Sequence, residues 1–389
     1  MFTKGRVVDE KYKYVHLLLH NESKFSASLA MMFNAEENGF DTDNQLIVTP
    51  HKEVFDVLEA YGVIYDPLSL HKLVNKYCLV CDYVFLHSIN SISEILRVKR
   101  AFLRKIVWRT WGHDAHLFRY NSVWWKNGIK HILNPFLKKR YQEFAAYGVA
   151  NLIDMMDLEE KFGVQRDRMF RLGYVIPNSN SSKPDSSSQQ EKPNNTYDLR
   201  KKPVLNVLIG HSGCDDQISV MRDLLRFRDY PVQLISIISY GYGSHAQEDI
   251  QNIIDYGNEF WKNKITFIKE FLPVNEYTDM IEEIDVAILP EKGSYALGCI
   301  SRLLRYKKKI YISKDGIIKK AFDYDNIPYG IYENIKNESF ELFSEPVVYT
   351  DKSGLNMKPL GYINGVKKWH ELYAYLDNLQ QQRENRNRI

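Results

Sequence analysis

Short β-branched runs alternate with amphipathic helical patterns along almost the whole chain, and this alternation is what most restricts its fold. In the first half the predicted strands are Tyr14–Leu19, Gln45–Thr49, Tyr83–Leu86, Lys105–Trp108, Gly148–Leu152 and Met169–Gly173. Helical patterns fall between them at Phe25–Asn38, His51–Tyr61, Ser69–Lys76 and Ile92–Phe102. In the second half the strands are Val204–Ile209, Val232–Ile238, Ile265–Phe271, Val286–Leu289 and Lys309–Ile312. The helical patterns there are Gln217–Phe227, Ala246–Phe260, Val274–Ile284 and Leu297–Tyr306. Continuous apolar strands separated by helices imply a parallel sheet covered on both faces. From Asn178 to Pro203 the sequence is NSNSSKPDSSSQQEKPNNTYDLRKKP, which offers almost nothing to bury and reads as a flexible connector. The organisation expected is therefore two facing Rossmann-like domains with a cleft between them. Residues 1–177 form the first and 204–365 the second, joined by 178–203. A helix near Lys367–Asn378 and a frayed polar tail, Gln380–Ile389, make up a final segment, 366–389.

Composition narrows the class. With 389 residues, 44% of them hydrophobic, the chain can bury two ordinary cores. The formal net charge of +3 is too small to name a partner. Met1–Asp9 is polar and the run Val15–Leu19 is short, so no secretory signal is expected. No run of about 20 apolar residues is present to span a bilayer. Cys78 and Cys81 have Cys-x-x-Cys spacing without a second pair, and core packing is the expected role. The compartment expected is the cytoplasm.

The stretch Trp108-Arg109-Thr110-Trp111-Gly112-His113-Asp114 carries the clearest chemical signal of the first half. It follows a predicted strand, and ligands of open α/β sheets bind outside the carboxyl ends of strands. Asp114 is the only carboxylate between Arg97 and Arg140, a block otherwise rich in Lys and Arg. Asp114 or His113 is a candidate general base for an acceptor hydroxyl. The plainer alternative is that Asp114 caps a helix or pairs with Arg109. Arg119, Trp124, Trp125, Lys126, Lys138, Lys139 and Arg140 mix aromatics with cations, a combination suited to an anionic membrane surface or acceptor. A solvated basic face over a Trp-containing core is the alternative. No nucleic-acid-binding motif accompanies the tract.

Loops after the second-half strands supply the donor candidates. Pro290–Gly298 follows a strand and opens a helix, whose free amides suit a phosphate at Ser294, Tyr295, Ala296, Leu297 and Gly298. Gly210-His211-Ser212-Gly213 is either a phosphate nest or a Gly turn with an Asp cap, since Asp215 and Asp216 follow it at once. Ser212 and Gly213 are candidates in either case. Tyr240 and Gly241 suit the rim of a sugar or phosphate site, or an ordinary βα loop. Lys269, Phe271 and Glu276 fall where a nucleotide base would be flanked.

Several patterns are set aside. Asp41-Thr42-Asp43 and Asp323-Tyr324-Asp325 each precede a predicted strand, the second at Pro328–Ile331, and are read as surface turns. His113 and His116 imply no third zinc ligand. Glu283 and Glu291 lie on opposite sides of a strand and cannot share a loop. No Gly-x-Gly-x-x-Gly follows a strand, which argues against a dinucleotide oxidoreductase.

On these residues the chain resembles the bacterial dTDP-4-acetamido-4,6-dideoxygalactose:lipid-linked saccharide transferases of enterobacterial common antigen synthesis, the 4-alpha-L-fucosyltransferase family (glycosyltransferase family 56). Trp108–Asp114 looks like that family's Trp-Gly-x-Asp element, and Gly210–Gly213 is similar to its Gly-x-Ser-Gly turn. Tyr240-Gly241, Phe271–Tyr277 with Glu283–Val286, and Ala296-Leu297-Gly298 resemble its remaining elements. The last has alanine where the family has the first glycine of Gly-Ile-Gly. The resemblance spans roughly Leu205–Tyr329 and one motif of the first half. It implies a GT-B fold, a nucleotide-sugar donor in the second domain, a lipid-diphosphate acceptor at the first, and neither metal nor cofactor.

The function expected is transfer of a deoxyamino sugar from a dTDP- or UDP-sugar to a lipid-linked or other cell-envelope saccharide. The enzyme would lie peripherally on the inner face of the cytoplasmic membrane. A GT-B transferase for a capsule or protein acceptor, and a non-catalytic nucleotide- or glycan-binding module, are the alternatives. Fold analogy does not choose among them.

Overall fold

The computed structural model describes residues 11–21, 23–89, 92–110, 135–172, 203–211, 216–239, 246–292, 296–350, 353 and 362–387. The chain divides into two compact units, Met1–Pro184 with Pro359–Ile389, and Asp185–Lys358.

Among the described residues the first unit contains a seven-stranded sheet in the order β3-β2-β1-β4-β5-β6-β7. The strands are β1 (Tyr12–Leu18), β2 (Gln45–Thr49), β3 (Ile64–Tyr65), β4 (Cys81–His87), β5 (Ile106–Arg109), β6 (Ala146–Val149) and β7 (Met169–Arg171). Every pairing is parallel. The helices are α1 (Ser23–Asn34), α2 (Lys52–Leu58), α3 (Leu70–Tyr77), α4 (Ile92–Arg97), α5 (residues 135–142) and α6 (Leu152–Phe162). Successive strand residues point to opposite faces. Thus Val15 and Leu17 join Leu73, Val74, Tyr141 and Phe162 in one core. Tyr14 and Leu18 join Phe33, Leu58 and a late segment of the chain in the other.

That late segment is a helix of 26 residues, Tyr362–Asn387, which is numbered α13 once the second unit is included. Trp369, Leu372, Tyr373 and Leu376 lie in the second core of the first unit. Each such side chain contributes on the order of 1.5–3 kcal/mol by leaving water. Tyr373 stacks on Tyr14 at 4.1 Å, and the Tyr83 hydroxyl donates to the Leu376 carbonyl at 2.9 Å. The expected end of this helix near Asn378 and the frayed tail from Gln380 are corrected by its course to Asn387. Arg383 secures the distal part by donating to the Arg104 carbonyl at 2.9 Å.

Among the described residues the second unit contains a six-stranded parallel sheet in the order β10-β9-β8-β11-β12-β13. Its strands are β8 (Leu205–Ile209), β9 (Val232–Ile237), β10 (Ile265–Ile268), β11 (Val286–Leu289), β12 (Lys309–Ile312) and β13 (Gly330–Ile331). The helices are α7 (Gln217–Leu224), α8 (Ala246–Phe260), α9 (Val274–Glu283), α10 (Leu297–Arg305), α11 (Ile317–Tyr324) and α12 (Phe340–Ser344).

Three local differences have physical causes. β10 stops at Ile268 rather than Phe271, because its partner β9 ends opposite at Ile237. β6 ends at Val149 because Asn151 caps α6, its side chain accepting from the Asp154 N–H at 3.1 Å. Asp323 and Asp325 are not a surface turn. Asp323 lies in the last turn of α11 and accepts from Lys319 Nζ at 2.7 Å and the Tyr329 hydroxyl at 2.5 Å, while Asp325 is buried. Asp41 does form the expected turn, accepting from the Asp43 and Asn44 N–H groups.

Candidate functional site

Both sheets reverse strand order beside their first strand, between β1 and β4 and between β8 and β11. The crevice outside the carboxyl ends of such a strand pair is where open α/β sheets bind ligands.

In the first unit this edge gathers buried polar groups. β1 supplies His16 and is followed by His20. β4 ends in His87, and Ser88 comes next. β5 ends in Arg109, before Thr110. All six are under 9% exposed. Ser88 has φ 75°, a left-handed conformation uncommon for a residue with a side chain, and it turns the chain just after His87. Arg109 donates to the Thr110 carbonyl at 2.6 Å and to the Leu172 carbonyl at 2.9 Å. Thr110 in turn donates its N–H to the Gly148 carbonyl at 2.8 Å.

The histidines belong to an ordered chain of hydrogen bonds. His87 Nε2 lies 3.0 Å from His16 Nδ1, and His16 Nε2 lies 3.0 Å from the Tyr373 hydroxyl. That hydroxyl donates to Gln45 Oε1 at 2.8 Å. Burial pushes His16 down to about 3. Burial, with His16, Arg109 and His20 nearby, holds His87 well below its ordinary value. Both rings are neutral at neutral pH.

In the second unit β8 runs into Gly210, at φ 98°, and His211. His211 Nδ1 is 3.7 Å from Glu291 Oε1, at the carboxyl end of β11. Ser313, after β12, donates to Glu333 at 2.9 Å, and the Lys314 N–H donates to the same carboxylate at 3.0 Å. Burial pushes the Glu333 carboxyl up, but these hydrogen bonds outweigh it and hold the group below its ordinary range. Ala296 precedes α10 in the left-handed conformation, φ 57°. Gly298 is exposed in the first turn, and its carbonyl accepts from Arg302 at 3.1 Å. Asp216 caps α7, accepting from the Ser219 N–H at 3.2 Å, so a carboxylate stands at that helix start.

A cleft of about 450 Å³ lies at the opposite, amino end of the first sheet, beside Lys13, Asp41, Gln45, His370, Tyr373 and Asp377. Lys13 and Tyr14 both donate to Asp377 there.

Among solved structures the chain is similar over 94% of its length to a glycosyltransferase from Rickettsia africae ESF-5. The match covers 98% of that chain, at 11% identity and a TM-score of 0.56. The chain has the GT-B fold. A UDP-GlcNAc 2-epimerase from Methanocaldococcus jannaschii matches at 12% identity and TM-score 0.50, over 93% of this chain and 99% of that one. The N-terminal domain of a Candida albicans trehalose-6-phosphate phosphatase matches at 10% and 0.51, over 96% and 99%. No protein-family model and no curated protein matches the sequence. Likeness at such identities establishes the GT-B fold and no narrower family.

Within this GT-B chain, many residues singled out from the sequence lie outside the described residues. They are His113 and Asp114; Arg119, Trp124, Trp125 and Lys126; Ser212 and Gly213; Tyr240 and Gly241; and Ser294 and Tyr295. Lys269 and Phe271 are exposed just beyond the end of edge strand β10, and Glu276 is exposed in the first turn of α9. Ala296, Leu297 and Gly298 stand together at the start of α10. On α5, Lys139 and Phe136 are exposed and Lys138 is half-buried. Arg140 departs from expectation. Its guanidinium donates to the Ile95 and Val98 carbonyls at the end of α4, so it braces two helices instead of facing a membrane. Lys105 is likewise spent on the Cys78 and Cys81 carbonyls, at 2.8 and 2.7 Å. Both cysteines are free and buried, and burial raises the Cys78 thiol to about 12.

His16, His20, His87 and the pair His211–Glu291 were not among the expected site residues of this GT-B chain. For His20, His87 and His211 the signal is a polar residue just after an apolar run, as in Val84-Phe85-Leu86-His87-Ser88, whereas His16 interrupts such a run. The predicted strand stopped one residue short of His87.

Proposed function

We propose that the chain is a glycosyltransferase that moves a deoxyamino sugar from a dTDP- or UDP-sugar to a lipid-linked or other cell-envelope saccharide. The observation carrying this reading is a GT-B fold that runs the length of the chain, with polar groups gathered at the carboxyl edge of each sheet. Two of the similar structures are described as a glycosyltransferase and a UDP-GlcNAc 2-epimerase, both suited to sugar chemistry.

In this reading the donor diphosphate meets the start of α10, from Ser294 to Gly298, with Ser212, Gly213, Tyr240 and Gly241 beside it. Backbone amides stabilise the leaving diphosphate as the bond from C1 to the phosphate oxygen breaks. Lys269, Phe271 and Glu276 border the nucleotide base. Asp114 takes the acceptor proton as the new C1–O bond forms, with His113 as its substitute. Arg119, Trp124, Trp125, Lys126, Lys138 and Lys139 meet anionic lipid, which would keep the protein on the inner face of the cytoplasmic membrane. Arg140 is left out, since its Nε and one Nη already donate to the Ile95 and Val98 carbonyls. Among the described residues no helix is long and apolar enough to cross a membrane.

A thermal-shift panel of dTDP, UDP, GDP and NAD tests the donor class: stabilisation by dTDP or UDP supports the reading, and stabilisation by NAD alone sinks it. Asp114→Asn should abolish transfer with nucleotide binding intact. Binding without transfer to any saccharide would favour the non-catalytic module. Co-sedimentation with phosphatidylglycerol vesicles should fall when Trp124, Trp125 and Lys138 are changed to Ala. Unchanged co-sedimentation removes membrane docking.

A further inference from the structure

The hydrogen bonds from Gln45 to His87 have a direction that the heavy-atom geometry determines. Gln45 Nε2 donates to the Asp41 carbonyl at 3.1 Å, which leaves Oε1 facing Tyr373. An amide oxygen only accepts, so the single Tyr373 proton goes to Gln45. The Tyr373 oxygen can then only accept from His16, which must carry its proton on Nε2. His16 Nδ1 is therefore a bare lone pair, and it accepts from His87 Nε2–H. A neutral His87 has no second proton, so its Nδ1 carries a lone pair.

We propose that His87 Nδ1 is a permanent hydrogen-bond acceptor at the β1–β4 switch point that reads a hydroxyl of the sugar acceptor. The inference rests on the glycosyltransferase reading and adds to it a subsite in the first unit for a neutral, hydroxyl-bearing ligand. A lone pair held in this way recognises a group that donates, and offers nothing to a carboxylate or phosphate. The groups around the ring maintain that state. His16 from β1 and His20 beyond it, Arg109 from β5 and Trp369 from α13 lie around His87. None of these described residues is an anion, and Arg109 disfavours a second positive charge. His87 therefore stays an acceptor rather than storing the proton released on transfer, a task left to Asp114. Ser88, directly after the ring, takes the left-handed φ of 75°.

The test uses the full chain labelled with 15N at histidine, with His87 assigned by its loss in His87→Phe. At pH 7 the wild-type ring should show a protonated Nε2 and an unprotonated Nδ1, unchanged down to pH 5. In His16→Leu the two nitrogens should move toward tautomer-averaged values. Added N-acetylglucosamine should shift Nδ1 alone, and glucose-1-phosphate should do so less. An Nδ1–H tautomer, an imidazolium at pH 7, or an Nδ1 unmoved by any neutral sugar overturns the proposal. If His16→Leu does not fold, the wild-type spectrum alone still decides the tautomer. These readouts need neither transfer nor nucleotide, so they fail separately from the glycosyltransferase reading. In a transfer assay His87→Phe should raise the acceptor KM while the donor KM is unchanged.

Discussion

Gly148 leaves open the space that the side chain of Arg109 fills. A Cβ built on Gly148 would stand 2.9 Å from Arg109 Cγ and 2.6 Å from a Leu172 methyl. Leu172 can swing away, but Arg109 is anchored at its far end by two carbonyls and cannot. Gly148→Ala is therefore expected to destabilise the first unit by about 1–3 kcal/mol, the usual cost of overpacking. Urea unfolding followed by tryptophan fluorescence measures this. An unchanged midpoint would show that Arg109 has another place to go.

The buried histidines make stability depend on pH with a definite sign. His16 is lowered to about 3 and His87 lies well below 6.5, whereas an unfolded histidine titrates near 6.5. The unfolded chain thus binds more protons between these values. The contribution is complete above about pH 6.5 and is lost as pH falls toward 3, by up to about 1.4 kcal/mol per pH unit for each ring. The stability advantage of wild type over His16→Gln should shrink between pH 7 and pH 4, as read from urea midpoints.

At Ala296 a residue with a side chain occupies the left-handed turn that opens α10. That conformation costs an L-residue roughly 1–2 kcal/mol, and glycine escapes the penalty. Ala296→Gly should leave stability unchanged or raise it by about 1 kcal/mol, despite glycine's greater freedom when unfolded. A clear loss in the thermal midpoint would mean that the alanine methyl packs usefully there.

Trp369 is 1% exposed between Phe33, Phe85 and His87. Trp369→Ala should cost about 3–5 kcal/mol, as for other large aromatic truncations. Histidine-resolved NMR should show His87 perturbed first. A similar loss from Ile363→Ala, whose side chain is 77% exposed, would mean that the helix is held by something other than this core.

Periodicity in the sequence located most of the strands and helices, but not β3, α5, α6, α11 or α12. Gln45–Thr49, Val286–Leu289, Lys309–Ile312 and Ala246–Phe260 are placed to the residue, because each is a short run centred on apolar residues or an amphipathic 3.6-residue repeat. Pairing across long distances was not legible. His16 meets Tyr373 across 357 positions, and no local pattern ties the two together. Arg140 shows the same limit. Charge can be read from sequence, but whether Arg140 faces solvent or the carbonyls of Ile95 and Val98 depends on how α4 and α5 pack. The proton order that singles out His87 needs Gln45, Tyr373 and His16 all in place, so it emerges only from the folded chain.

The placement of α13 has a consequence for biosynthesis. Strands β1 to β7 are translated by residue 171, yet Trp369, Leu372, Tyr373 and Leu376, which close one face of their sheet, come nearly two hundred residues later. At about 5–20 residues per second that is a wait on the order of 10–40 s. During that time the second unit can fold whole, while the first holds Tyr14, Phe85 and its histidines uncovered on the ribosome. A nascent chain stalled before α13 is the form of this protein most exposed to chaperones and to aggregation.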